Sequence, residues 1–255
     1  MSLFDLSGKT AIITGAGRGI GRSIALGLAD AGSQVVICSR TTEELEEVAE
    51  EIKRKNREVE IVPCDITIPS DIDRVVERAK ERFGKIDILI NNAGITVKKP
   101  AEEYTIDDWN KIIAVNLTGV FLFAQKVGIE MLAQQQGTII NISSIASKTA
   151  ITNSIAYGAS KGGVNMITKT LASEWATRGV RVNGIAPAYI ETPLVKNIKD
   201  TKPEFVENIE QRTPMNRLGK PDEIVGAAVF LASEASSYMT GETIFLDGGW
   251  TAIGM

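Results

Sequence analysis

The feature that most constrains this chain is an alternation that runs along its whole length. Short apolar runs that read as strands are followed by stretches of helical periodicity. The strand-like runs fall at 10–14, 34–38, 59–63, 86–90, 138–142, 180–186 and 243–246. The helical stretches fall at 19–31, 42–56, 70–83, 107–132, 155–177 and 221–231. In the second of these, Leu45, Val48, Ala49 and Ile52 recur at the spacing of one helix face. The strands are continuously apolar, so both of their faces need cover. Repeated β-α-β units meet that need as a parallel sheet with helices on either side. The expected fold is therefore α/β, a single-domain doubly wound parallel sheet of about seven strands flanked by helices. A chain of 255 residues can enclose one large core. No linker, low-complexity segment or internal repeat interrupts the pattern. The one irregular insertion is 189–220, and long connections of this kind commonly serve as lids over a site.

Composition narrows the chemistry. There is no histidine in the sequence. Ser-His-Asp and Cys-His hydrolase machinery is excluded, as is any His-ligated metal site. General acid–base work must fall to Tyr, Lys, Asp or Glu. The net charge is −4 without a basic stripe, so no nucleic acid partner is expected. The apolar runs read as too short for a membrane span and residues 1–6 do not read as a signal peptide. The expectation is no membrane association and a cytoplasmic location. Cys38 and Cys64 form no CxxC pair and read as buried apolar residues; no metal is expected.

Four stretches carry chemistry. Gly15, Gly17, Gly19 and Gly21 link the first strand to the first helix, with Arg18 and Ile20 between them. Such a turn brings the free N–H groups of a helix start close to a pyrophosphate. The spacing is not GxGxxG, because Ile20 stands where the third glycine belongs. The second strand ends at Ser39-Arg40, where a carboxylate would grip a free ribose 2′-hydroxyl. None is present, and Arg40, with Arg18, suits a 2′-phosphate instead. Asn91-Asn92-Ala93-Gly94 and Asn141-Ile142-Ser143-Ser144 follow the fourth and fifth strands, at the sheet edge where open α/β folds bind ligands. Tyr157 and Lys161 stand at i and i+4, on one helix face. A nearby cation favours the phenolate, and moving a phenol from about 10 to about 7 takes roughly 4 kcal/mol. One lysine would be hard pressed to supply that alone; an oxidised nicotinamide ring would share it. Asn116 lies inside an otherwise apolar helix and reads as either a structural bridge or part of a proton path.

Taken together, the glycine turn, Asn91–Gly94, Asn116, Ser144 and the Tyr157/Lys161 pair resemble the short-chain dehydrogenase/reductase family over nearly the whole chain. The resemblance implies a Rossmann-like fold and a reaction between a secondary alcohol and a ketone. It implies Tyr157 as general acid/base and Ser144 as the hydrogen-bond partner of the substrate oxygen. Lys161 would bind the nicotinamide ribose and lower the Tyr157 pKa, and Asn116 would hold a water in a proton relay. Gly15, Arg18, Gly19, Ile20, Gly21, Ser39 and Arg40 would line the cofactor site. Ile66 would line the cofactor site too; Asp65 would meet the adenine, Asn92, Ala93 and Gly94 the adenosine side, and Pro187, Ile190 and Thr192 the nicotinamide.

The expected cofactor is NADP(H) in preference to NAD(H), the substrate a small carbonyl or alcohol, and the assembly a homotetramer. The tetramer follows from the resemblance, with the small residues of the 155–177 helix, Trp250 and residues 253–255 at interfaces. Two positions depart from the family pattern: Ala188 and Ser147 stand where glycines are usual. Within the family, 183–187, 212–214 and 219–250 are most similar to gluconate 5-dehydrogenase and 2-deoxygluconate 3-dehydrogenase sequences, whereas Lys148 is basic where the former tend to be acidic. Lys98, Lys148 and Arg212 stand either as partners for a substrate carboxylate or as solvated surface charges. The alternatives are a 3-oxoacyl-carrier-protein reductase and a catalytically silent nucleotide-binding regulator.

Overall fold

The computed structural model describes residues 2–192, 195 and 203–252. Its strands are β1 Thr10–Thr14, β2 Gln34–Ser39, β3 Val59–Pro63, β4 Ile88–Asn91, β5 Gly137–Ile142, β6 Val180–Pro187 and β7 Thr243–Leu246. All seven lie in one sheet in the order β3-β2-β1-β4-β5-β6-β7. Every pairing is parallel. The helices are α1 Gly19–Asp30, α2 Thr42–Arg54, α3 Pro69–Phe83, α4 Ile106–Ile113, α5 Val120–Gln134, α6 Ile155–Trp175, α7 Pro203–Arg212 and α8 Val225–Ala232.

The continuous apolar strands explain the two-sided core. Successive side chains point to opposite faces. Ala11 and Ile13, Val35 and Ile37, and Ile88 and Ile90 pack on one side with α1, α2 and α8. Ile12, Val36, Cys38 and Leu89 pack on the other with α3, α5 and α6. Each large aliphatic side chain buried in this way contributes roughly 1.5–3 kcal/mol. Both cysteines are free and buried, as expected.

The strand order reverses between β1 and β4, where the chain leaves the sheet in two directions and opens a crevice at the C-terminal strand ends. A smaller apolar cluster of Ile145, Val206, Ile209, Leu218 and Trp250 roofs that edge.

Two helical expectations needed correction. The stretch 107–132 is not one regular helix. A π-helical segment, Ala114–Gly119, separates α4 from α5 and carries Asn116. The insertion 189–220 contains a helix of its own, α7, whose buried residues are Val206 and Ile209. Helical spacing of the apolar pair was present, but charged residues flank it and Pro203 opens it. Residues 193, 194 and 196–202 of the insertion, and the terminal 253–255, lie outside the described residues. The run Ile106–Gln134 also corrects the membrane reading, being long and apolar enough to span a bilayer by length and composition. Its Phe123, Ala124, Val127 and Met131 are instead fully buried in the core.

Candidate active site

The glycine turn and the fourth-strand turn are stitched together at the switch point. Thr14 Oγ1, at the end of β1, accepts from the backbone N–H groups of Asn92 and Ala93, both at 3.0 Å. Asn92 Nδ2 donates back to the carbonyls of Thr14 at 2.9 Å and Gly15 at 3.1 Å. Gly15 adopts φ +64°, and a Cβ on Gly21 would stand 2.2 Å from the Gly15 carbonyl oxygen. Only glycine admits so close a turn. Arg18 enters α1 in an extended conformation and its side chain makes no capping bond. The first N–H groups of α1 therefore have no partner within the helix and are open to an anion.

This turn floors a groove of about 290 Å³ lined by Gly15, Arg18, Gly19, Ile20, Gly21, Ser39, Arg40, Asp65, Ile66, Asn92, Ala93, Gly94 and Thr192. Every residue expected on the adenosine side is present. Burial works to raise the Asp65 carboxyl, but hydrogen bonds from the Thr67 backbone and hydroxyl, with the Arg40 charge, hold it below its ordinary value. Sequence reasoning missed one charged lining residue, Glu44, which reaches in from α2 and pairs with Arg18 at 3.1 Å. It reads in sequence as one more solvated glutamate of an acidic helix face.

A second cavity of about 440 Å³ adjoins the groove. Ile20, Asn92, Gly94, Ile95 and Thr192 line both. Its walls bring together Ser144 just after β5, Tyr157 and Lys161 from α6, Pro187 at the end of β6, and Tyr189 and Ile190 beyond it. Lys161 Nζ donates to the Ile142 carbonyl at 2.7 Å and lies 5.8 Å from the centre of the Tyr157 ring. Burial lowers the lysine from 10.5 to about 8. Burial also raises the Tyr157 phenol, while the Ser144 hydroxyl works the other way and the neighbouring Tyr189 reinforces the rise. This differs from the expected depression of the phenol by Lys161. Desolvation is the largest influence on the phenol here, so a phenolate would draw part of its stabilisation from what binds beside it.

Asn116 does not line either cavity. It is fully buried, accepting from Ile95 N–H at 2.8 Å and donating to the Ile95 carbonyl at 2.8 Å and Ser160 Oγ at 3.3 Å. Of the two roles left open by sequence, this geometry supplies the structural bridge. Behind it, Asn91 Nδ2 donates to Asn141 Oδ1 at 3.0 Å, and Asn141 Nδ2 to Thr168 Oγ1 at 2.9 Å. These buried amides tie β4 and β5 to the helix that carries Tyr157. Neither Ser147 nor Ala188 takes a left-handed conformation, so neither needs the glycine that is usual there. Ser147 Oγ instead donates to the Ser144 carbonyl at 2.6 Å and tightens that turn.

A family model described as enoyl-(acyl carrier protein) reductase matches residues 15–251. The chain belongs to the short-chain dehydrogenase/reductase family. It is an oxidoreductase. It is 40% identical to a tropinone reductase homolog of Arabidopsis thaliana over 98% of this chain and 95% of that one. It is also 40% identical to the 5-keto-D-gluconate 5-reductase of Escherichia coli over 97% of both. A gluconate 5-dehydrogenase structure from Burkholderia cenocepacia, in complex with NADP and tartrate, superposes with a TM-score of 0.93 at 41% identity over 98% of both chains.

The three basic candidates for a substrate carboxylate separate in space. Lys98 lines the second cavity at its exposed rim, where burial still lowers its ammonium and its Nζ lies 4.9 Å from the Phe205 ring centre. Lys148 lies over the Phe245 ring at 5.2 Å and Arg212 over the Trp250 ring at 4.6 Å, and neither lines that cavity.

Proposed function

We propose that this oxidoreductase interconverts a secondary alcohol and a ketone on a sugar acid, with NADP(H) preferred over NAD(H). The first groove would take the dinucleotide and the second cavity the substrate. The observation that carries the reading is the charge of that substrate cavity: its charged lining side chains are Lys98 and Lys161, with no carboxylate among the described residues. A sugar acid would place its carboxylate against Lys98 at the rim and its reacting carbon near Ser144 and Tyr157. The similarity to a ketogluconate reductase supports the substrate class. The glycine cradle and unpaired α1 start fit a dinucleotide pyrophosphate, and Ser39-Arg40 fit a 2′-phosphate better than a free hydroxyl. The NADP-bound relative supports that preference.

The bound nicotinamide would supply or take up a hydride. Tyr157 gives its phenolic proton to the carbonyl oxygen in reduction and takes it back in oxidation. Ser144 orients that oxygen. Lys161 holds the nicotinamide ribose and stabilises the phenolate. A relay for the proton would run from Tyr157 past Lys161 toward Asn116, whose Oδ1 and Lys161 Nζ stand 3.5 Å and 3.7 Å from one point, a methyl group built on Gly94; Asn116 would serve it in addition to bridging Ile95 and Ser160. The insertion 189–220 would act as the lid, since Phe205, Val206 and Ile209 of α7 already wall the cavity. The protein would work in the cytoplasm as a homotetramer. Ile155 and Met166 on α6, and Phe121 and Ile129 on α5, are exposed apolar side chains that such an assembly would cover.

The test is a panel of keto sugar acids, neutral keto polyols and 3-oxoacyl thioesters, each with NADPH and NADH, for wild type and Lys98→Met. The expected outcome is highest kcat/KM on a keto sugar acid with NADPH. Lys98→Met should raise KM about tenfold for that substrate, the weight of one charge-assisted hydrogen bond, and leave neutral ketones unchanged. Preference for an acyl thioester would contradict the reading.

A further inference from the structure

The adenosine groove holds a carboxylate that the family reading leaves without a task. Its charged lining consists of Arg18 and Arg40 against Glu44 and Asp65. The carboxyl of Asp65 is occupied by Thr67, which donates from its backbone at 2.9 Å and its hydroxyl at 2.7 Å. Glu44 is different. Its one ion-pair partner among the described residues is Arg18, whose side chain is otherwise 72% exposed. Glu44 is also wedged over the glycine turn. A Cβ at Gly17 would stand 2.8 Å from Glu44 Cβ, 2.8 Å from its Oε2 and 3.4 Å from Ser39 Oγ. The carboxylate thus lies beside the hydroxyl at the end of β2, on the side of the groove where a ribose 2′ substituent would sit.

We infer that Glu44 sets the strength of cofactor discrimination by competing with the 2′-phosphate for Arg18. The inference rests on the cofactor assignment above. In the free protein the glutamate serves as an internal anion for Arg18. A 2′-phosphate must share or displace it, and pays for its proximity in like-charge repulsion; a 2′-hydroxyl faces neither cost. The Arg18 side of the ion pair is largely exposed and the pair is therefore weak, so the phosphate can win, but with reduced advantage. Glu44 is a specificity-determining residue that acts through Arg18, and it touches none of the reacting atoms.

Glu44→Gln keeps the shape and removes the charge. The expected result is a rise in the ratio of kcat/KM for NADPH over NADH of roughly threefold to tenfold, the size of one like-charge contact at groove distance. Adenosine 2′,5′-bisphosphate, as a calorimetric probe, should bind more tightly by a similar factor, while adenosine 5′-monophosphate should not. In an Arg18→Ala background the same substitution should lose most of its effect, and added salt should shrink the gain. Equal changes for both cofactors, a falling ratio, or an undiminished gain without Arg18 would each overturn the inference. A wild-type preference for NADH would instead overturn the cofactor assignment. The Glu44 inference is read separately, from the change in bisphosphate binding between wild type and variant.

Discussion

Lys161 shows how a single buried side chain couples the site to pH. Desolvation lowers its ammonium from 10.5 to about 8, because the charged form has lost water and gained only the Ile142 carbonyl. The charged form is the one that would hold ribose hydroxyls and neighbouring phosphate. NADPH affinity, followed by fluorescence, should therefore fall as pH rises through about 8, and Lys161→Met should bind more weakly and without that step. Affinity that stays level between about pH 7 and pH 9.5 would contradict the assignment. Tyr157 and Lys161 were legible in the sequence because the i, i+4 spacing sets them on one helix face, and Ser144 was legible through the family resemblance at its strand-end position. Glu44 was not. Its access to the groove depends on α2 packing across the glycine turn, which no local pattern encodes. The raised phenol was also hidden, since desolvation is a property of the assembled cavity.

At the scale of elements, strands were the most readable feature. β1, β3 and β7 begin and end where the apolar runs do; in β1 every position is buried, so no solvent-facing side blurs its ends. The π-helical segment at Ala114–Gly119 left no trace in the apolar periodicity, and only the odd placement of Asn116 hinted at it. It is held by a long-range partner, the loop at Ile95. The base of the insertion is fixed to the sheet edge: Glu191 N–H donates to the Gly219 carbonyl at 2.8 Å and Gly219 N–H to the Tyr189 carbonyl at 3.0 Å. Motion of a lid would then fall beyond that anchor, at α7. Hydrogen exchange should show the α7 amides gaining protection when cofactor and a keto sugar acid are both bound. Equal protection with and without ligands would remove the lid role.

The whole molecule follows from alternation: seven covered strands, one sheet, and a crevice where the order reverses. What alternation cannot specify is which outer faces meet a second copy. Exposed Ile155 and Met166 stand eleven residues apart on α6, close to three full turns, and so share a face. Closed two-fold assemblies are the common solution for such a face. Wild type should run as a tetramer by light scattering at micromolar concentration, and Met166→Glu, which would bury an unpaired charge at that face, should shift it to smaller species. A monomeric wild type would end the tetramer proposal while leaving the site reading intact.

The central claim is that Tyr157 is the proton donor and acceptor for hydride transfer. Tyr157→Phe removes one oxygen and keeps the ring against the cavity wall. The account predicts a loss of at least about a hundredfold in kcat for NADPH-dependent ketone reduction, with NADPH binding measured by fluorescence nearly unchanged. A variant that keeps more than about a tenth of the wild-type rate would contradict it.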